Sequence, residues 1–271
     1  MEKYIKRSNN ISILVLFTYL GMVIVNGLAN ALPINGMITG DISDSYPNLF
    51  APTGITFIIW GVIYLLLAGH TAYQLGAFQK NKEPIQTELL NKVGILFSIS
   101  SIANIAWIFS WHYKIIPLSL LFMLTILVCL ILINTRINKE KLTANEKVFI
   151  RLPFSVYFGW ITVATIANAT VFLVSLNSNF GKPSDVAWTI IILLVGLLIG
   201  AVTTFRNRDV PYVLVIVWAY IGILIKHLLA QPNGFNSQYP AVIVTVIASI
   251  VVLVVTIIYV LTKGKSVRNN K

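Results

Sequence analysis

The sequence predicts an all-α protein: a polytopic transmembrane helical bundle of about eight spans. Three observations carry that expectation. Charged residues make up 11% of the chain and the hydrophobic set 57%, whereas a soluble domain carries roughly 25% charged residues. Mean hydropathy is +0.82, and 271 residues cannot hide that much apolar surface in one water-soluble core. Finally, eight apolar runs each reach the ~20 residues that a span needs.

The runs fall at 11–32, 52–76, 91–111, 115–135, 148–174, 186–205, 211–230 and 240–262. In the first, Lys3, Lys6 and Arg7 precede an apolar stretch that ends in Ala29-Asn30-Ala31, an arrangement that resembles a cleavable signal peptide. The stretch is longer than a usual signal core, and Asn26 and Asn30 suit a retained helix that faces other helices. The second run opens at Pro52, the seventh at Pro211 and the eighth at Pro240, where proline suits a first helical turn. Thr143 and Glu146 form a T-x-x-E capping box ahead of the fifth. Ser184 and Asp185 are placed to cap the sixth.

Basic residues sort with this topology. When the loops are assigned alternately to two sides, seventeen bases fall on one side and three, Lys114, Lys182 and Lys226, on the other. Basic loops are retained in the cytoplasm, so both termini are expected there, in a multi-pass cell-membrane protein. The same arrangement removes nucleic acid as a partner. The net charge of +11 is spread over short loops between apolar runs, and no compact basic domain exists to hold a polyanion.

Conventional catalysis finds little support. All nine acids, among them Asp44, Glu146 and Asp209, lie in loops or tails. Ionisable groups inside a bilayer are costly and are usually kept for proton or ion relays, so a proton-coupled pump is disfavoured. His70, His112 and His227 are scattered near span ends and read as interfacial, and no metal-ligand spacing accompanies them. Lys226 lies near a span end, where it can snorkel. There is no phosphate-binding P-loop and no nucleophile elbow. Cys129 is the single cysteine, which excludes an intramolecular disulfide. No catalytic residue, no metal ligand and no required cofactor is expected.

Aromatic stripes are the informative feature. In TFIIWGVIY, Phe57, Trp60 and Tyr64 fall within about 60° on a helical wheel. In NIAWIFSW, Asn104, Trp107 and Trp111 share one face. In YFGWITVATIAN, Tyr157, Trp160, Ala164 and Asn168 share an arc of about 80°. Each stripe by itself suits either helix packing or a binding pocket. The headgroup belt accounts well for Trp111 and His112, and less well for Trp60 and Trp160, which sit half-way along their runs.

At these residues the first five spans, about 11–174, resemble the tryptophan-rich sensory protein family, also called the translocator protein family (TspO/MBR). The matching features are the stretch YPNLFAPTGITFIIWGVIY, the Asn-x-x-Trp pair Asn104 and Trp107, and Trp160 followed eight residues later by Asn168. There are departures. Phe57 and Trp60 are three residues apart, not the family's four, and the prolines are reduced to Pro52 with Pro47 further back. No proline follows Trp107, and three additional spans follow. The expected organisation is thus a TspO/MBR-like five-helix region over 1–176 and a three-helix region over 177–271.

The resemblance implies a pocket for tetrapyrroles such as protoporphyrin and haem, or for sterol-like and aromatic drugs. It also implies roles in transport, sensing or stress regulation, frequent homodimers, and a first loop, here 33–51, covering the pocket. The expected ligand-binding residues are Phe57, Trp60, Tyr64, Asn104, Trp107, Tyr157, Trp160 and Asn168. The expected partners are the lipid bilayer and a hydrophobic or aromatic small molecule. Three other readings stand beside this one: a secondary transporter of another metabolite, a non-catalytic scaffold or accessory subunit, and an enzyme that oxidises porphyrin under light.

Two features lie outside the resemblance. Gly196 and Gly200 form G-x-x-x-G, which permits close helix contact within the bundle or across a dimer. The loops Pro47-Asn48-Leu49-Phe50 and Pro232-Asn233-Gly234-Phe235 share a short pattern, which suggests that both fold over the same opening.

Overall fold

The computed structural model describes residues 9–78, 84–176 and 186–269. Among them every regular element is helical, and eight helices are long and apolar enough to cross a membrane. Helix α1 is Asn9–Ala31, followed by a 3-10 turn at Ile34–Gly36 and the short α2, Thr39–Asp44. A 3-10 helix, Gly54–Ile58, leads into α3, Ile59–Leu75. Next come α4 (Pro84–His112), α5 (Ile116–Ile137) and the one-turn α6 (Ala144–Glu146). A π-helical turn, Lys147–Arg151, joins α6 to α7, Leu152–Ser175. Helices α8 (Val186–Asn207), α9 (Val210–Leu228) and α10 (Pro240–Asn269) complete the chain. The protein is a polytopic membrane protein, and each apolar run in the sequence corresponds to one spanning helix.

The caps follow from the residues at the helix ends. The Thr143 amide donates to Glu146 Oε2 at 2.7 Å, and the Glu146 amide donates to Thr143 Oγ1 at 3.3 Å; this is the capping box read from the sequence. Asp209 caps α9 by accepting from the Tyr212 amide at 3.3 Å, with Pro211 in the first turn. Pro240 opens α10. The Ser184–Asp185 cap lies outside the described residues.

Pro52 departs from expectation, because it precedes the helix without entering it. The backbone here is engaged elsewhere: the Thr53 amide donates to the Gly222 carbonyl at 3.2 Å, and Trp218 Nε1 donates to the Thr56 carbonyl at 3.0 Å. With those groups bound to α9, the segment tightens into 3-10 geometry.

The chain packs as two compact units, Met1–Ile42 with Ile59–Phe158, and Ser43–Ile58 with Gly159–Lys271. In the first, α4 lies between α1 and α5, α1 also packs on α3, and the π turn packs on α3 and α5. His70 is fully buried there. Its Nδ1 lies 2.9 Å from the Phe149 carbonyl, and its ring meets Phe97 and Phe154 edge-on. A core position of this kind replaces the interfacial one expected from the sequence.

In the second unit α8, α9 and α10 pack on one another, and Gly54–Ile58 packs on α9. The G-x-x-x-G pair is used inside this unit. Gly196 faces the Tyr220 hydroxyl, and Gly200 faces Ile216 and Leu253. Gly159 has no room for a side chain, since a Cβ there would lie 2.5 Å from the Tyr212 carbonyl oxygen. Large apolar side chains cover the outside, among them Phe17, Leu65, Leu198 and Val244. That is the surface a bilayer requires.

Gly159→Ala is expected to lower stability by about 1–3 kcal/mol, the usual cost of overpacking. Gly61→Ala, where a Cβ meets nothing within 4 Å, serves as the neutral control. Thermal unfolding midpoints in detergent check both.

Candidate functional site

Helical spacing assembles the aromatic cluster of the first unit. Residues four apart on a helix are surface neighbours, so Trp60 stacks on Tyr64 with ring centroids 5.5 Å apart, and Trp107 stacks on Trp111 at 5.9 Å. Trp60 joins the two pairs. It lies 6.3 Å from Trp107 and meets Tyr157 edge-on at 6.1 Å. Four of the five members come from α3 and α4, and Tyr157 comes from the start of α7.

Polar contacts hold this arrangement. Asn104, one turn before Trp107, accepts from Asn26 Nδ2 at 2.6 Å, with both side chains buried. The Tyr19 hydroxyl donates to the Tyr64 carbonyl at 2.9 Å. The Tyr157 hydroxyl lies beside the Asn104 side chain. The Tyr64 hydroxyl and Trp107 Nε1 are buried without a partner among the described residues. Buried polar atoms are ordinarily satisfied, so two unmatched donors on one aromatic cluster call for an explanation.

The first part of the 33–51 loop closes over the end of this row. Trp111 Nε1 donates to the Thr39 carbonyl at 3.2 Å. Asn35 Nδ2 donates to the His112 carbonyl at 2.9 Å. His112 Nδ1 lies 3.1 Å from the Ile34 carbonyl, and its Nε2 lies 3.1 Å from Thr39 Oγ1. Trp111 and His112 are therefore buried beneath the loop, where the sequence had suggested a headgroup belt.

The other three expected site residues belong to the second unit. Phe57, in the 3-10 helix, meets Trp160 edge-on with ring centroids 5.8 Å apart. Asn168 is buried two turns further along α7. The eight expected residues thus form two groups: Trp60, Tyr64, Asn104, Trp107 and Tyr157 in the first unit, and Phe57, Trp160 and Asn168 in the second.

A family model described as TSPO-like protein matches residues 12–259. The chain belongs to the TSPO-like protein family. No curated protein and no solved structure matches it. The TSPO-like match runs through α8, α9 and most of α10, well beyond the five spans whose motifs carry the resemblance. Among the described residues, no three His, Cys, Asp or Glu side chains come together as a metal site would require.

The second unit of this TSPO-like protein also holds a cleft of about 580 Å³. It is lined by Pro47 and Asn48 from one loop and by Pro232, Asn233 and Phe235 from the other. The two loops with the shared pattern meet here, but Phe50 is fully buried and takes no part in the lining. Lys226 reaches the cleft and bonds Asp44. Three contributors lie outside the expected set. Tyr19 and Asn26 support the cluster from α1, and Lys226 is an ion-paired wall residue. The repeated Pro-Asn-x-Phe pattern was the one sequence signal for the cleft.

A double-mutant cycle on Asn26→Ala and Asn104→Ala is expected to give a coupling energy of about 0.6–1.7 kcal/mol, between the average and the maximum for interhelical side-chain bonds in membranes. Unfolding equilibria of the four proteins in detergent measure it.

Proposed function

We propose that this protein binds an amphipathic aromatic small molecule, of the tetrapyrrole class, at the cluster centred on Trp60. The observation that carries the reading is the coincidence of stacked rings with unmatched donors. Trp60, Trp107 and Tyr64 offer flat faces to a planar ligand, while the Tyr64 hydroxyl and Trp107 Nε1 have no partner among the described residues. A carbonyl or carboxylate on the ligand would accept from those two groups. A mostly apolar site with a few placed polar groups is the general form of a small-molecule pocket.

Membership of the TSPO-like family supports the reading, as does the tie between the 33–42 segment and the end of α4. The protein acts in this reading as a non-catalytic binder that carries or senses its ligand. Its basic loops and both termini face the cytoplasm, in accord with the charge asymmetry.

The test is titration of the purified protein with protoporphyrin, read as quenching of tryptophan fluorescence. Saturable quenching is expected. Trp60→Phe is expected to weaken binding about two- to twelvefold, matching the 0.5–1.5 kcal/mol of an aromatic pair. Unchanged affinity in Trp60→Phe, or no saturable signal in the parent protein, removes the proposal.

A further inference from the structure

The cleft of the second unit is chemically unlike the aromatic cluster. Its volume, about 580 Å³, lies within the range of small-molecule sites. One wall is the Ser43–Ile55 segment; the other is the last turn of α9 with residues 229–235. Both walls are tied in place. His227 Nε2 lies 2.9 Å from the Leu49 carbonyl, and the Phe235 amide donates to the Lys226 carbonyl at 3.0 Å. Gly234 packs so closely on the helix end that a Cβ would lie 2.4 Å from the Lys226 carbonyl oxygen. The Asn48 carboxamide is engaged within its own loop, its oxygen accepting from the Phe50 and Ala51 amides and its nitrogen donating to the Tyr46 carbonyl. Those bonds fix its place in the wall.

The charge in this cleft is asymmetric. Lys226 Nζ lies 2.7 Å from Asp44 Oδ1, but the lysine side chain is 16% exposed and the aspartate 63%. The withdrawn member is the cation; the anion stands at the rim, where water competes for it. A lysine ammonium has three donors, and Asp44 engages one of them. An incoming anion can therefore take up the spare donors, or replace Asp44 while that carboxylate returns to water. Phe235, Pro47, Pro232 and Leu229 line the same cleft with apolar surface, beside the polar Ser43, Tyr46 and Asn233. A cation and apolar surface in one cleft fit an anion that carries an apolar body.

We infer that this cleft is a second binding site, distinct from the aromatic cluster, that takes an anionic head group on a compact apolar body, with Lys226 as the anion-binding residue. The head group can belong to a soluble carboxylate or to an anionic lipid. The inference does not depend on the tetrapyrrole reading.

The experiment uses the full chain in phosphatidylcholine nanodiscs, titrated calorimetrically with adamantane-1-carboxylate and with its neutral carboxamide, heats from empty discs being subtracted. The carboxylate is expected to bind saturably and at least tenfold more tightly than the carboxamide. Lys226→Gln is expected to lose at least tenfold in affinity, and Lys226→Arg to stay within a fewfold of the parent. Asp44→Asn, which frees the ammonium, is expected to bind two- to fivefold more tightly. A purely structural ion pair would make Asp44→Asn weaken binding as Lys226→Gln does, and that result overturns the inference. Equal affinity for carboxamide and carboxylate, or no saturable heat from the parent protein, also overturns it. Replacing a third of the phosphatidylcholine by phosphatidylglycerol separates the sources. Weakened carboxylate binding identifies a lipid head group in the site, and unchanged binding identifies a soluble anion. Trp60→Phe is expected to leave this titration unaltered, so the two sites stand or fall separately.

Discussion

Inside a bilayer there is no water to satisfy a side-chain amide, so a buried asparagine bonds its own helix backbone, as Asn26 does at the Met22 carbonyl, or reaches a partner on another helix. The bond between Asn26 and Asn104, 2.6 Å long and fully enclosed, meets that constraint and sets where α1 and α4 meet. Trp107 follows Asn104 by three residues, so the same bond fixes the height and facing of the indole. Trp60 and Tyr64 then come against it from α3. The Tyr19 bond to the Tyr64 carbonyl holds that second pair from the α1 side. The aromatic cluster is thus a consequence of polar satisfaction in a nonpolar solvent, with ring stacking filling the space the polar contacts leave.

The two units treat their loops in related ways. In the first, the 34–39 segment is pinned to the end of α4 through Trp111 and His112. In the second, Leu49 is pinned to the end of α9 through His227. Each case pairs a histidine in the last turn of a spanning helix with a carbonyl in the long first loop. The loop carbonyls gain ring N–H partners, and the helix end gains a cover. This gives residues 33–51 a defined path despite their low content of regular structure.

Much of the fold was legible in the sequence because its causes are local. A span needs only length and hydropathy, and all eight runs correspond to helices. Thr143, Glu146 and Pro211 act as caps or first-turn residues within a few positions of themselves. What escaped the sequence depends on partners far along the chain. The 3-10 helix ahead of α3 exists because Trp218 and Gly222 of α9 engage Thr56 and Thr53. The burial of Trp111 and His112 depends on Thr39, Asn35 and Ile34. The α-helical wheel placed Phe57 beside Trp60, but the change of helix type intervenes, and Phe57 packs on Trp160 while Trp60 packs on Trp107 and Tyr157. Lys226 read as a snorkelling residue, because only Asp44, far away in sequence, reveals it as one half of an ion pair.

The central claim is that a planar ligand is held at Trp60 and Trp107. Fluorine NMR of the protein labelled with 5-fluorotryptophan tests it most directly, because the six tryptophans report separately once assigned by single substitutions. Addition of protoporphyrin should shift the Trp60 and Trp107 resonances in a saturable way and leave that of Trp188 in α8 unmoved. Unmoved Trp60 and Trp107 signals at saturating porphyrin, or shifts confined to Trp188 and Trp218, would contradict the account.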